Sequence, residues 1–250
     1  MEAAAATEAA AQEATAARKE AAREETARRE AATAQEVAPR PISLLELRTA
    51  TESFSASRQI GSGGTATVFK AERLPALPPS RSGAFAIKLL SARGGDAGGV
   101  AGGGQESVVA DLQREVEILS RCSHPNLLPL LGFCLEAAGP ALIYECCRGG
   151  NLEDRLLLTP GGRARLSLLG LASAVPVPLT WQARCRVLCE TLRALTHLHS
   201  LTPQVLHRDV KPSNILLDAS GKALLADIGM AKEADGRKVQ QTHYSTASIR

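Results

Sequence analysis

The segment Gly61-Ser62-Gly63-Gly64-Thr65-Ala66-Thr67-Val68 places glycines where backbone N–H groups can close on phosphate oxygens. Glycine allows that approach because no Cβ blocks it and because it reaches dihedrals closed to other residues. A glycine-rich hairpin with no ligand is the competing reading. The residues after the glycines separate the possible loops. A dinucleotide fold needs a helix directly after them. Here Thr67-Val-Phe-Lys-Ala-Glu72 alternates at strand period, and no Gly-Lys-Ser/Thr comes next. A loop covering phosphates from above, between two antiparallel strands, fits better. Lys88 is the next candidate: it stands in the apolar run Ala84-Phe-Ala-Ile-Lys-Leu-Leu90, where a buried lysine requires a charged partner. Cys185, Cys189, His197 and His199 share a helical region and could be imagined around a metal. The favoured reading makes the two cysteines core residues of an amphipathic helix, and the adjacent Cys146 and Cys147 small buried residues rather than reactive ones.

The elements that must carry these residues can be read from periodicity and turn chemistry. Residues 1–39 hold no Leu or Ile and are dominated by Ala, Glu, Arg, Thr and Gln. Helix propensity is high there, but no stripe of large apolar side chains exists to be buried, so a solvated helix or disordered tail is expected. A weak coiled coil or partner-binding helix is the alternative. Leu44, Leu45 and Leu47 predict a short helix in an extension spanning 40–57. Residues 58–73 read as strand, glycine turn and strand, 84–90 as a third strand, and Pro75 to Gly83 as an exposed loop. The glycine-rich stretch 93–104 is expected to be mobile. A helix then runs through Val108, Leu112, Val116 and Leu119, with strand-like runs after it at 127–134 and 140–145. A Pro/Gly-rich insertion occupies about 159–178, and a long helix starts near Thr180-Trp181 and reaches His199. A small sheet-rich lobe with one helix, then a helical lobe, is an α+β order and not a βαβ repeat.

Composition excludes several classes. Aromatics are 3% of the 250 residues, too few for a single-strand stacking platform, and the net charge of +3 implies no long phosphate-binding surface, so no nucleic-acid partner is expected. The six cysteines contain no C-x-x-C pair, which points to reduced thiols in a cytoplasmic setting. No secretory signal is visible, Glu2 excludes a myristoylation start, and the uncharged run Leu166–Ala183 carries Pro176, Pro178 and Gly170, which makes a poor membrane span.

Four motifs in order carry a resemblance. They are Gly61-x-Gly63-x-x-Ala66-x-Val68, Ala86-Ile-Lys88, His207-Arg-Asp209-Val-Lys211-Pro-Ser-Asn214 and Asp227-Ile-Gly229. Together they resemble a protein kinase domain. Glu46-Leu-Arg-Thr-Ala-Thr-Glu-Ser-Phe54, His124-Pro-Asn-Leu-Leu-Pro-Leu-Leu-Gly-Phe133 and Gly150-Asn-Leu-Glu-Asp-Arg-Leu156 are similar to the Pelle, interleukin-1-receptor-associated and plant receptor-like group, over about residues 42–250. The resemblance implies a bilobal fold, with a sheet-rich N-lobe and hinge over 58–147 and a partial helical C-lobe over 148–250. It implies an ATP- and Mg²⁺-dependent serine/threonine kinase acting on protein hydroxyls. A non-catalytic nucleotide-binding scaffold or pseudokinase is the alternative, and an upstream receptor or adaptor is a possible partner.

Carried over residue by residue, Lys88 would hold the α/β-phosphates and pair with Glu115 on the following helix, with Glu117 solvated. Asp209 would take or orient the substrate hydroxyl proton, and Lys211 would neutralise the γ-phosphate. Asn214 and Asp227 would hold Mg²⁺. Val68, Ala86 and Leu216 would form the adenine slot, Tyr144 would be the gatekeeper, and the backbone of Glu145 and Cys147 would make hinge contacts. Gly61, Ser62, Gly63 and Gly64 would cover the phosphates. Arg208 would clamp a phosphate on the activation segment, where Thr242, Ser245, Thr246 and Ser248 are available. The chain departs from the pattern at Ala66, Thr65 and Ile228. It also stops at Arg250 inside the implied activation segment, so a fragment with an exposed apolar C-lobe surface and poor activity alone is expected.

Overall fold

The computed structural model describes residues 38–64, 66–91, 104–171 and 178–234. The expected tail, most of the glycine-rich stretch after Arg93 and the candidate hydroxyls from Thr242 onward lie outside the described residues. Strands β1 (Arg40–Pro41), β2 (Gln59–Ser62), β3 (Ala66–Ala71), β4 (Phe85–Leu90), β5 (Leu130–Cys134) and β6 (Ala141–Glu145) form one sheet in the order β1-β5-β6-β4-β3-β2. Only β1 runs parallel to its neighbour; the other pairings are antiparallel.

The period-2 alternation of side chains gives this sheet two different faces. On one face, Phe85, Ile87, Ala141 and Ile143 pack with Leu44 and Leu47 of helix α1 (Leu44–Ala50), whose N-cap is Ser43. The extension therefore joins the lobe twice, as a short edge strand and as a helix over the sheet. On the other face, Lys88 stands opposite Val68 and Leu142, and Ala86 opposite Tyr144. That face meets helix α2 (Gly104–Arg121) through Leu112, Ile118 and Leu119, and its core continues into the second lobe. Burying a Leu or Ile there favours folding by about 2 kcal/mol. Between β3 and β4, the expected exposed loop Pro75 to Gly83 is only partly so: its prolines face solvent, but Leu77 is buried, with Leu74 just before the loop, against α1 and the sheet.

The second lobe begins with β7 (Gly150–Asn151) and helix α3 (Leu152–Leu157), capped by Asn151. Part of the predicted irregular insertion is helix α4 (Pro160–Leu166). Thr159 caps it, and Pro160 occupies the first turn, where a missing N–H costs nothing. Buried Asp154 pairs with Arg165 and holds α4 to α3. Helix α5 (Trp181–Ser200) starts at its cap Thr180, and Val187, Thr191, Ala194 and Leu198 form its buried stripe. Cys189 lies on the far side from that stripe and is exposed, and Cys185 is half-buried, so the core reading of these two cysteines is corrected. Trp181, Leu188 and Leu192 are also exposed. After α5, β8 (Gln204–Leu206) pairs with β11 (Lys232–Ala234), and β9 (Ile215–Leu217) lies between β10 (Ala223–Leu225) and β7.

The α2–β5 connection is stitched to this second lobe. Leu128 N–H donates to the Leu225 carbonyl at 2.9 Å, Leu225 N–H to the Asn126 carbonyl at 2.8 Å, and the Asn126 side-chain amide to the Ala223 carbonyl at 2.9 Å. At the covalent crossover, Gly149 N–H donates to the Leu217 carbonyl at 2.8 Å.

Candidate functional site

The glycine turn closes between β2 and β3, with Gly63 N–H donating to the Ala66 carbonyl at 2.9 Å and Gly61 opposite Val68. Ser62, Gly63 and Gly64 are exposed, and Ala66 is buried at the third glycine position. A Cβ added at Gly64 would meet nothing within 4 Å, so the tip of the turn at Gly64 stands in open space. Val68, Ala86 and Leu216 are each partly exposed. Tyr144, opposite Ala86, is buried, as is Cys147.

Lys88 reaches two carboxylates. Its Nζ lies 2.6 Å from Asp227 Oδ1 and 3.9 Å from Glu115 Oε1. The expected pairing with Glu115 is thus the looser of the two contacts, and the short one goes to a residue far along the chain. Helix period puts Glu115 on the buried side of α2 with Leu112 and Leu119, while Glu117 is exposed. Glu115 is 8% exposed, and its Oε1 has no hydrogen-bond partner among the described residues. Burial pushes its carboxyl above the usual range, opposed by the nearby Lys88 and reinforced by Asp227. Gly229 makes room for it: a Cβ there would sit 3.1 Å from Glu115 Oε2.

The loop after β8 gathers the other polar groups. Asp209 Oδ2 accepts Lys211 Nζ–H at 2.7 Å and Asn214 Nδ2–H at 2.9 Å, and the same amide reaches the Asp209 carbonyl at 2.9 Å. The hydrogen bond from Lys211 is the main cause that holds the Asp209 carboxyl below its ordinary value. His207 is buried under this loop. Its Nε2 faces the Ala226 carbonyl at 3.0 Å, and its Nδ1 accepts the Asp209 N–H at 3.3 Å. Burial pushes the imidazole pKa down, which favours the neutral Nε2–H tautomer that this pair of contacts needs. Arg208 and Asp227, in the segments that follow β8 and β10, both adopt left-handed backbone, φ 66° and 65°. Ala226 N–H donates to the Asn214 carbonyl at 2.9 Å, locking the loop to the segment that presents Asp227. Arg208 is exposed.

The structure brings Lys88, Glu115 and Asp227 together, and separately Asp209, Lys211 and Asn214. Burial pushes the Cys147 thiol up to about 12, and Cys146 is also raised, chiefly by burial, so neither is a ready nucleophile. Among the described residues no cluster of three or more metal-ligating His, Cys, Asp or Glu exists. Sequence reasoning missed the side chain of Glu145, which accepts hydrogen bonds from Ser80 and Ser82. No periodicity marks such a contact, because it joins a loop to a strand end. It also missed the structural part of His207, although its place two residues before Asp209 was visible.

Residues 54–248 match the family model described as the protein kinase domain. The chain is 36% identical over 202 residues to serine/threonine-protein kinase PBL13 of Arabidopsis thaliana, covering 80% of this chain and 35% of that protein. It is 32% identical over 203 residues to the wall-associated receptor kinase-like 21 of the same plant, covering 81% and 28%. It is 34% identical over 205 residues to the EPD1-interacting receptor-like cytoplasmic serine/threonine-protein kinase 5D of Gossypium barbadense, covering 82% and 38%. The chain spans less than half the length of these relatives. The matched stretch opens before the glycine turn, takes in both polar clusters and runs past β11, and this chain is accordingly a member of the protein kinase domain family.

Proposed function

We propose that the protein transfers the γ-phosphoryl group of ATP to serine or threonine hydroxyls of protein substrates. The observation that carries this reading is the convergence of Lys211 and Asn214 on one oxygen of Asp209. With Oδ2 taken, Oδ1 is left to accept the proton of an incoming hydroxyl. Lys211, beside that carboxylate, is placed to meet the charge of the transferring phosphoryl group. Lys88 stands on the sheet face below the glycine turn, where the α- and β-phosphates would lie. Phosphoryl transfer asks for positioning and charge neutralisation more than covalent chemistry, and these groups supply both.

Mg²⁺ fits the donor set. Asn214 turns its Nδ2 to Asp209, so its amide oxygen would remain for a hard cation, and Asp227, whose Oδ1 accepts from Lys88, would offer Oδ2. When bound, the ion supplies charge neutralisation at the β/γ-phosphates. Val68, Ala86 and Leu216 make the adenine slot in this reading, with Tyr144 at its back and the Glu145 and Cys147 backbone at its edge. In this reading the domain limits are a tail over 1–39, an extension over 40–57, a small lobe and hinge over 58–147, and the second lobe beyond. A receptor or adaptor upstream and a cytoplasmic location are supported by one relative's printed name as a receptor-like cytoplasmic kinase. No helix among the described residues is long and apolar enough to cross a membrane.

Labelled ATP, Mg²⁺ and serine-, threonine- or tyrosine-containing peptides, incubated with the full-length protein, test the proposal. Transfer to serine or threonine that disappears in Asp209→Asn is expected. A folded full-length protein that binds Mg-ATP but transfers nothing, or transfers only to tyrosine, would overturn it.

A further inference from the structure

The loop before β4 is fastened to the back of the segment that joins the lobes. Glu145 ends β6, and its Oε1 accepts the Ser80 hydroxyl at 2.8 Å and the Ser82 N–H at 2.5 Å. The next residue, Cys146, donates its N–H to the Ala84 carbonyl at 3.0 Å. That carbonyl also lies 2.8 Å from Ser80 Oγ and 3.0 Å from Ser82 Oγ, and Ala84 N–H donates to Ser80 Oγ at 3.0 Å. One hydroxyl has one proton, so Ser80 cannot serve Glu145 and the Ala84 carbonyl together. Ser82 resolves the conflict: its hydroxyl donates to the carbonyl and frees the Ser80 proton for the carboxylate. The contacts close a ring from the Glu145 side chain through Ser80 and Ala84 to the Cys146 backbone. Gly83, at φ +80°, makes the turn, and a Cβ there would stand 2.8 Å from the Arg148 guanidinium, so the loop also abuts the crossover two residues further on.

We propose that Glu145 is a positioning residue for the nucleotide, acting through this ring. Hydrogen bonds to a carboxylate are the strong, short ones, and two of them fix the strand end from which the crossover leaves. The Glu145 carbonyl and Cys147 N–H then keep one geometry for adenine, instead of sampling several and losing affinity. The inference rests on the nucleotide reading above and extends it to a side chain that points away from the ligand.

Two measurements on the full chain test the ring, Mg-ATP titration and amide hydrogen exchange at Cys146 and Cys147. Glu145→Ala, which removes both hydrogen bonds to the carboxylate, is expected to weaken Mg-ATP binding by about tenfold or more and to raise KM for ATP more than it lowers kcat. Glu145→Gln keeps an acceptor oxygen and should recover most of the loss. Ser80→Ala should weaken binding several-fold, and in the double variant it should add little to Glu145→Ala, because both open one ring. Exchange at the two amides should accelerate in both single variants. Unchanged exchange in a folded Glu145→Ala, or effects of the two substitutions that multiply in full, would overturn the proposal. A wild-type chain that binds no Mg-ATP would sink the nucleotide reading, and with it the role toward adenine, whatever exchange shows of the ring itself.

Discussion

Glu115 stands on a regular helix, 8% exposed, with Oε1 lacking a hydrogen-bond partner among the described residues and the Lys88 ammonium 3.9 Å away. Asp209 stands on an irregular loop, its side chain 30% exposed, with one oxygen accepting two hydrogen bonds. The helix delivers burial without satisfaction, and the loop delivers satisfaction without burial. Their pKa values move in opposite directions for those reasons: desolvation raises Glu115, and the bond from Lys211 lowers Asp209. The consequence for stability has a definite sign. A carboxyl raised in the folded state favours folding at low pH and loses that contribution as pH rises from the ordinary 4.5 through its raised value. Asp209 contributes the other way, present above its unfolded pKa and lost as pH falls through its lowered one, but at its exposure that amounts to little. One carboxylate is held ready at some cost to the fold, and the other almost free of it.

Substitutions can break this contrast. The largest effect is expected from Asp209→Asn in the full-length protein, a loss of phosphoryl transfer of about 10³-fold with no change in thermal midpoint, since the group is satisfied but not buried. Peptide kinetics and a melting curve check both halves. Glu115→Gln should lower transfer by about 10²-fold through misplacement of Lys88. Its thermal midpoint should equal or exceed the parent's at pH 7, with the difference shrinking toward pH 4. A clear destabilisation at pH 7 would mean that the Lys88 contact outweighs burial, and the contrast would fail.

Half-buried bases and buried thiols sharpen the same rule at smaller scale. His124 and His197 stack with centroids 5.0 Å apart. Burial first, then His197, Lys222 and Arg193, pushes His124 down to about 4. A base lowered in the folded state stabilises fully above its unfolded value near 6.5 and loses that contribution as pH falls toward 4. Melting curves across that window should show a decline that is shallower in His197→Leu. The smallest effect concerns labelling. Burial lifts Cys122 to about 11 and Cys147 to about 12. Iodoacetamide at pH 8 should therefore modify Cys189, and more slowly Cys185, while leaving both buried thiols unlabelled in the native protein; mass spectrometry reads the result.

Local pattern made much of the fold readable. Strand alternation around Lys88, the Thr180 cap and the apolar spacing of α2 each state their own element, and the helix register alone separates Glu115 from Glu117. The polar octet from His207 to Asn214 is contiguous, so its residues could be named together. What stayed hidden depends on distance along the chain or on competing local signals. Asp227 as the short partner of Lys88 is a long-range contact that no spacing announces. Helix α4 hides in a segment whose glycines and prolines read as irregular, because its stability comes from Arg165 on Asp154 and from buried Leu166. The exposed Cys189 was misread because a helix bearing apolar residues on two sides does not announce which one is covered.

The stitching of residues 126–128 to β10 has a kinematic consequence. A rigid body pinned at two separate points keeps one freedom, rotation about the line through them. The small lobe is pinned where Asn126 and Leu128 bond to Ala223 and Leu225, and again where the chain crosses at Gly149. Rotation about the line through these ties is therefore the motion they hinder least, and it must give up the Lys88–Asp227 and Arg121–Glu233 ion pairs and the Lys70 bond to the Leu168 carbonyl. Lys88 and Asp227 belong to different lobes, whereas Asp209, Lys211 and Asn214 belong to one, so any relative rotation of the lobes acts on the first contact and not on the second cluster.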